Sequence, residues 1–434
     1  MLKWWCKLAG CVMAAGLLLT ACASEQPADP VSSRHSLNEE ETVEEGQTLT
    51  IVNPEPSPSP HTSSPAEAEA GQYQIQTRLT DFKLMSDTSG LAWGSTRSEL
   101  RLYTTRDNGK TWTNISPSSS IQFPNNPQYG KDLFFKDLDH GWVVRDSLGS
   151  GEAIVLRTTN GGGTWKMTSL PEADDVSSIY FVNEYRGWIL TVGDGADSIE
   201  AKAVYTTSNG GATWEKIMST SLLPTESSAA NQTLPKLGKP DGMMFTDEKN
   251  GYVTLIEEGV PALYVTVDGG QRWTKSASFF DDSKITGCTR FTTTAPQALN
   301  AAGTAAWVAV GCGGEGGLKY NGYFTMDAGK SWSLAPLGLP WKSEEDGELS
   351  TTFLTSLEGW SLQKSAMIHT VDQGKTWSPL PESRKLREIL ADYPEVVKLQ
   401  FHSPQTGWLL VANHDKKRSL LMQTQDGGVS WHVL

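Results

Sequence analysis

Cysteines, histidines, carboxylates and a glycine-rich stretch are the side chains and turns that could carry chemistry in the later part of this sequence. Cys288 and Cys312 form an even pair, which outside the cytoplasm is expected to be a disulfide, two buried free thiols being the other reading. His140, His369, His402, His414 and His432 show neither metal-ligand spacing nor a Ser or Cys partner. Segments such as Asp268-Gly-Gly270 would suit the turn of a calcium loop, but they lack its further oxygen ligands and terminal Glu. No metal and no cofactor are expected. Gly311, Gly313, Gly314, Gly316 and Gly317 precede no helix, so they read as a strand connection rather than a phosphate cradle. Acids are plentiful enough for the carboxylate pair of a glycoside hydrolase, and only their separation in space decides that chemistry.

The elements that would position these groups are repeats. An eight-residue pattern recurs seven times, as in Thr105-Arg-Asp107-Asn-Gly109-Lys-Thr111-Trp112 and Thr266-Val-Asp268-Gly-Gly270-Gln-Arg272-Trp273. Its third position is Asp107, Asn160, Asn209, Asp268, Asp327, Asp372 and Asp426, and its closing Trp falls at 112, 165, 214, 273, 332, 377 and 431. A second motif precedes most copies, as in Phe135-Lys-Asp137 with Gly141-Trp142 and Phe181-Val-Asn183 with Gly187-Trp188. The first unit has a weaker version, and the fifth keeps only Phe291 and Trp307. Each unit offers four short runs of strand character, so the sequence predicts an all-β, seven-bladed β-propeller with Asp-box repeats and four antiparallel strands per blade, over 73–434. In each box the Asp folds back onto backbone N–H groups, Gly supplies positive φ, and Trp packs over its own blade. Of sixteen tryptophans, only Trp341 lies outside both motifs and the N-terminal segment.

Residues 1–21 carry Lys3, Lys7 and an apolar stretch ending in Leu19-Thr20-Ala21, and read as a signal peptide. Followed by Cys22, this end resembles the lipobox of bacterial lipoproteins, which implies lipidation at Cys22 and an extracytoplasmic protein anchored to the cell membrane. Residues 22–72 read as a disordered acidic tether rich in Pro and Ser, as in Pro54-Glu-Pro-Ser-Pro-Ser-Pro60. The whole chain has a formal charge of −14. The tether holds ten acidic residues against one Arg, so the propeller is only mildly acidic and nucleic acid is not an expected partner.

The Asp-boxes are similar to bacterial neuraminidase (BNR) repeats, found in sialidases, xyloglucanase-type glycoside hydrolases and sortilin-like receptors. The pairing of Phe-x-Asp-x-x-x-Gly-Trp with Thr-x-Asp-Gly-Gly-x-Thr-Trp more closely resembles the photosystem II stability and assembly factor family. That resemblance implies an exported seven-bladed propeller acting as a non-enzymatic assembly scaffold, in a family with many relatives in bacteria that have no photosystem. It transfers no binding residue: Arg78, Arg97, Arg101, Arg106, Arg145, Arg157 and Arg186 gather in the early blades without a motif. A sialidase-type Arg-Ile-Pro start is missing, since the first strand reads Gln76-Thr77-Arg78-Leu79.

In a four-stranded meander the first-to-second and third-to-fourth turns share a face. The opposite face receives Glu257-Glu258, Gly313 to Gly317 and Asn413 to Arg418, together with long links at 219–242, 335–350 and 381–396. Leu386, Ile389, Leu390 and Tyr393 predict a short helix in the last link, its apolar stripe against the propeller. Trp341, Glu344, Glu345, Asp346, Glu257 and Glu258 are the candidate partner-binding residues. The expected function is protein or cell-envelope binding by a monomeric, membrane-anchored scaffold. A carbohydrate-binding or glycoside-hydrolysing propeller is the alternative, and a carboxylate cluster at the channel mouth would distinguish it.

Overall fold

A computed structural model describes residues 47–52, 72–96, 99–117, 123, 126–146, 152–193, 201–220, 232–343 and 349–434. Cys22, Arg97, Glu344, Glu345 and Asp346, the signal segment and most of the tether lie outside the described residues.

Seven antiparallel sheets follow one another along the chain, each a four-stranded meander in sequence order. Blade four is representative, with strands Pro240–Phe245, Gly251–Glu257, Val260–Thr266 and Thr274–Lys275. The first strands form the inner ring: those of blades two and three, three and four, six and seven, and seven and one touch. In blade five the first strand is broken into Arg290–Thr293 and Gln297–Ala298, both paired with Ala306–Gly314. The loose motif spacing of that unit comes from this break. The architecture is the all-β, seven-bladed propeller expected.

Every box uses the same hydrogen bonds. The Thr hydroxyl donates to Oδ1 of the Asp or Asn two residues on, at 2.8–3.0 Å. That Oδ1 also accepts the amide four residues further along, at 2.8–2.9 Å. The Thr oxygen in turn accepts the box glycine's N–H. Each box also donates a backbone N–H to the carbonyl of its blade's first-to-second turn, as from Asn108 to Thr88, Gly210 to Tyr185, Gly269 to Lys249 and Gly427 to Gln405. These bonds place both turns on one face.

Between blades, the second-strand Trp lies on the first-strand Phe of the next blade. Ring centroids are 3.5 Å apart for Trp142 and Phe181, 3.6 Å for Trp188 and Phe245, and 4.0 Å for Trp360 and Phe401, all nearly parallel. The same three indoles donate to box carbonyls of the next blade, those of Gly210, Gly269 and Gly427. Each Phe meets its own blade's box Trp edge-on, as Phe245 meets Trp273. The glycine before the second-strand Trp follows from this stack: a Cβ on Gly187 would stand 2.4 Å from the Phe181 ring.

The expected tether is corrected at one point. Gln47–Val52 is a strand, paired residue for residue with Gln72–Thr77. Leu49 and Ile51 are buried with Trp112 of blade one and with Trp408 and Leu421 of blade seven. Trp112 donates its amide to Thr50 and accepts from Val52, while the Gln47 side chain bonds the backbone of Leu421 and Leu434. Alternating Leu49 and Ile51 suit a half-buried strand, and the acidic, Pro-rich surroundings hide that short signal.

The predicted helix is Arg384–Asp392, capped by the Ser383 hydroxyl accepting from the Leu386 amide. Leu386 and Leu390 are buried against blades six and seven.

Gly187→Ala is expected to destabilise the propeller by about 1–3 kcal/mol, because Phe181 is held by the Trp142 stack and cannot move aside freely. Urea denaturation measures this, and an unchanged midpoint would show that the ring yields.

Candidate functional site

Three places on the propeller depart from the repeat. The first is the hairpin of blade five, on the face away from the boxes. Gly317, at φ +103°, turns the chain where a side chain would be strained. Trp341 crosses beside this turn, its six-membered ring near Gly314 and its pyrrole ring over Gly316, and a Cβ on either glycine would meet the indole at 3.1–3.2 Å. Lys342 exchanges two backbone hydrogen bonds with Leu318, of 2.7 and 2.8 Å, which fix the crossing segment. Trp341 remains 46 % exposed, unlike the motif indoles of the core. Close by, Cys288 and Cys312 are joined, with Cα atoms 5.2 Å apart, linking the approach to the first strand with the second strand.

Glu257 and Glu258 occupy the corresponding hairpin of blade four. Glu257 accepts from the Tyr264 hydroxyl at 2.8 Å and from Lys275 Nζ at 2.7 Å, so its charge serves its own blade. Burial and the Glu257 carboxylate push the Tyr264 phenol up. Glu258 is exposed, at φ +51°.

The second place is the inner ring. Asp81 and Lys83 come from blade one and Lys398 from blade seven. Lys398 Nζ bonds Asp81 Oδ1 at 2.9 Å and the Phe82 carbonyl at 2.8 Å. The ring of Tyr129, in the link entering blade two, lies 5.2 Å from Lys83 Nζ and 6.0 Å from Lys398 Nζ. Burial, then the neighbouring Lys398, pull the Lys83 ammonium down to about 8 against the opposing pull of Asp81. Carboxyls do gather around the inner strands: Asp132 feels Asp146 and Lys131, and Asp146 feels Lys131, Asp175 and Lys239. Burial pushes Asp132 and Asp241 up to about 6. Asp132 accepts the Gln128 amide, Asp146 the Val176 amide and Asp241 the Thr293 hydroxyl, bonds that tie strands and links together. Among the described residues no three of His, Cys, Asp and Glu are grouped to hold a metal.

The third place was missed from sequence. On the box face, Val267, Met326 and Val371 of blades four, five and six are 72, 63 and 67 % exposed, with Leu357 beside the last in the same blade's turn. They occupy the second position of Thr-x-Asp, which is polar in blades one to three, so the signal was legible there. The early arginines have separate local roles. Arg106 pairs with Asp139 of the next blade at 2.9 Å, and Arg186 stacks on Trp188 with its guanidinium near Gly269.

This arrangement defines an Asp-box β-propeller. Residues 117–284 match the family described as Photosynthesis system II assembly factor YCF48, and the chain is a propeller similar to these assembly factors, as the paired motifs implied. It is 20 % identical to YCF48 from Cyanidioschyzon merolae, covering 80 % of this chain and 95 % of that one with a TM-score of 0.47. Against the GH74 xyloglucanase from Xanthomonas campestris, identity is 9 % over 82 % of this chain and 86 % of that one, with a TM-score of 0.29. Over 131 residues, 28 % of the chain, it is 30 % identical to vacuolar protein sorting/targeting protein 10 of Paracoccidioides lutzii, spanning 8 % of that protein's length.

Two expected outcomes follow. Stability should peak near pH 4. Hydrogen bonds from Thr376 hold box Asp372 down to about 2, so its support is lost as pH falls below the ordinary value of about 4. Asp132 and Asp241 titrate near 6, so the folded state binds extra protons between about 4 and 6 and stability declines as pH rises through that window. Melting temperature against pH checks both limbs, and Asp132→Asn with Asp241→Asn should flatten the upper one. Replacing Cys288 and Cys312 by Ser should cost about 3.5 kcal/mol, from the loop of 24 residues they close. Chemical denaturation of the double variant measures it, and a loss well above that figure would reveal a packing role for the sulfurs.

Proposed function

We propose that this chain is a non-enzymatic, lipid-anchored extracytoplasmic scaffold that holds a protein partner on the face opposite its Asp-boxes. One observation carries the reading: Trp341 is a half-exposed indole backed by a glycine hairpin and pinned by the Lys342–Leu318 bonds. A rigid aromatic with one free face loses little entropy on binding and removes much apolar surface from water, which is how a Trp anchors an interface. The resemblance to assembly factors agrees with this role. Lipidation at Cys22 would hold the propeller at a membrane, where its partner would be a membrane protein or an envelope component. The inner-strand acids Asp132, Asp146 and Asp241 each accept a hydrogen bond that ties strands and links together, a use in the fold that favours binding over catalysis.

An exposed indole face also suits the apolar face of a sugar ring, and this favours carbohydrate binding as the second reading. Pull-down from detergent-solubilised membranes with the lipidated protein separates them. A partner retained by the wild type should bind Trp341→Ala about thirtyfold more weakly, since a central Trp contributes about 2 kcal/mol or more. Equal capture by both forms would move the interface elsewhere on the propeller. Retention of the soluble propeller on an insoluble polysaccharide, abolished by the same substitution, would replace the protein partner with a glycan.

A further inference from the structure

The inner ring at the junction of blades seven, one and two carries a charge imbalance that the scaffold role does not use. Two ammonium groups, Lys83 and Lys398, stand beside one carboxylate, Asp81. Asp81 is committed: its Oδ1 accepts from Lys398 Nζ at 2.9 Å and from the Phe82 amide at 2.7 Å. Lys398 spends a second donor on the Phe82 carbonyl. Lys83 has no hydrogen-bond or ion-pair partner among the described residues. It has only the Tyr129 ring, 5.2 Å from Nζ. Tyr129 cannot supply a counter-charge, since burial pushes its phenol far up and its hydroxyl donates to the Phe135 carbonyl at 2.7 Å. Phe82 and Trp93 add apolar walls, each with a ring within 6 Å of Lys398 Nζ. Both lysines are only partly buried, and a partly desolvated cation beside another cation is stabilised by an anion.

We propose that Lys83 and Lys398 together bind a small oxyanion, a carboxylate or a phosphate, at the inner ring between blades seven and one. Its negative charge offsets the excess ammonium, Lys83 donates to it directly, and the Tyr129 ring closes one side. The site sits at the seam where the ring of blades closes, so an occupant also ties the last blade to the first. It is independent of Trp341.

The test uses the full chain and two probes, inorganic phosphate and acetate. Lys83 is labelled with an amine-selective acylating reagent at neutral pH, and its modification rate is read by peptide mass spectrometry. A bound anion strengthens the hold of Lys83 on its proton, and a tenfold stronger hold lowers the reactive free-amine fraction about tenfold. Saturable protection of about that size by phosphate alone assigns a phosphate site, and protection by acetate alone a carboxylate site. Protection by both assigns a general oxyanion site. Lys398→Met should remove the protection while leaving Lys83 accessible, and Lys83→Arg should retain phosphate binding by calorimetry where Lys83→Met loses it. Folding of each variant is checked by tryptophan fluorescence. A Lys83 labelling rate unchanged by either anion, in a folded protein, overturns the proposal.

Discussion

The contact on which the propeller depends is an indole of one blade lying flat on a phenyl ring of the next. Trp188 on Phe245 shows what this imposes. The indole faces a neighbouring sheet, so the apolar cluster around it combines Leu190 and Val204 of blade three with Val253, Leu255 and Trp273 of blade four. Such a blade cannot bury its own apolar faces alone, and stability is shared between neighbours. The stack also dictates a residue of the opposite kind. The Phe ring lies over the backbone at the start of its own second strand, so Gly251 must lack a Cβ beneath Phe245. Phe, Gly and Trp are thus one packing unit written in three places.

A ring of such contacts must close, and the closing seam is built differently. Blade one offers Phe82 and Leu84 rather than the usual Phe motif, and Trp408 meets Phe82 at 5.7 Å with a 54° tilt instead of a flat stack. A Cβ on Gly90 would strike Trp408 itself. The weaker stack is reinforced by polar bridges: Lys398 to Asp81, Gln400 in reciprocal bonds with the Leu84 backbone, and Gln423 with Asn108. The strand Gln47–Val52 adds Leu49 and Ile51 to the same apolar cluster. Blades one and seven share no strand, so this segment from outside the repeats acts as the clasp between them.

What was legible in the sequence was whatever recurs. Seven boxes gave the blade count, and the pairing of boxes with Phe and Gly-Trp motifs gave four strands per blade, because turn chemistry and aromatic packing constrain residue type at fixed spacing. The helix was legible for the same reason, since Leu386 and Leu390 keep the spacing of one helical face. Non-recurrent contacts were not. Gln47–Val52 has strand alternation for only six residues in acidic surroundings, and its partners Trp112 and Leu421 are far away in sequence. Asp81, Lys83 and Lys398 look like ordinary solvent-facing strand positions until the ring brings the first and last blades together. The prominence of Trp341 could be read, but not its glycine backing, which depends on a crossing segment meeting a hairpin.

The same logic bears on where binding resides. A residue whose side chain makes the same bonds in all seven blades is explained by the fold, as Thr and Asp or Asn of the boxes are, and seven equivalent positions cannot by themselves favour one side of the ring for a single partner. Selectivity must arise where the symmetry breaks. The breaks are physically distinct: an indole on a glycine hairpin in blade five, an apolar arc on the box face of blades four to six, and an excess ammonium at the seam. The first two expose apolar area, whereas the third sets two partly buried ammonium groups beside aromatic rings and one carboxylate. The three breaks lie in different parts of the ring, and each differs from the repeat in its own residues rather than in the bonds that every blade shares.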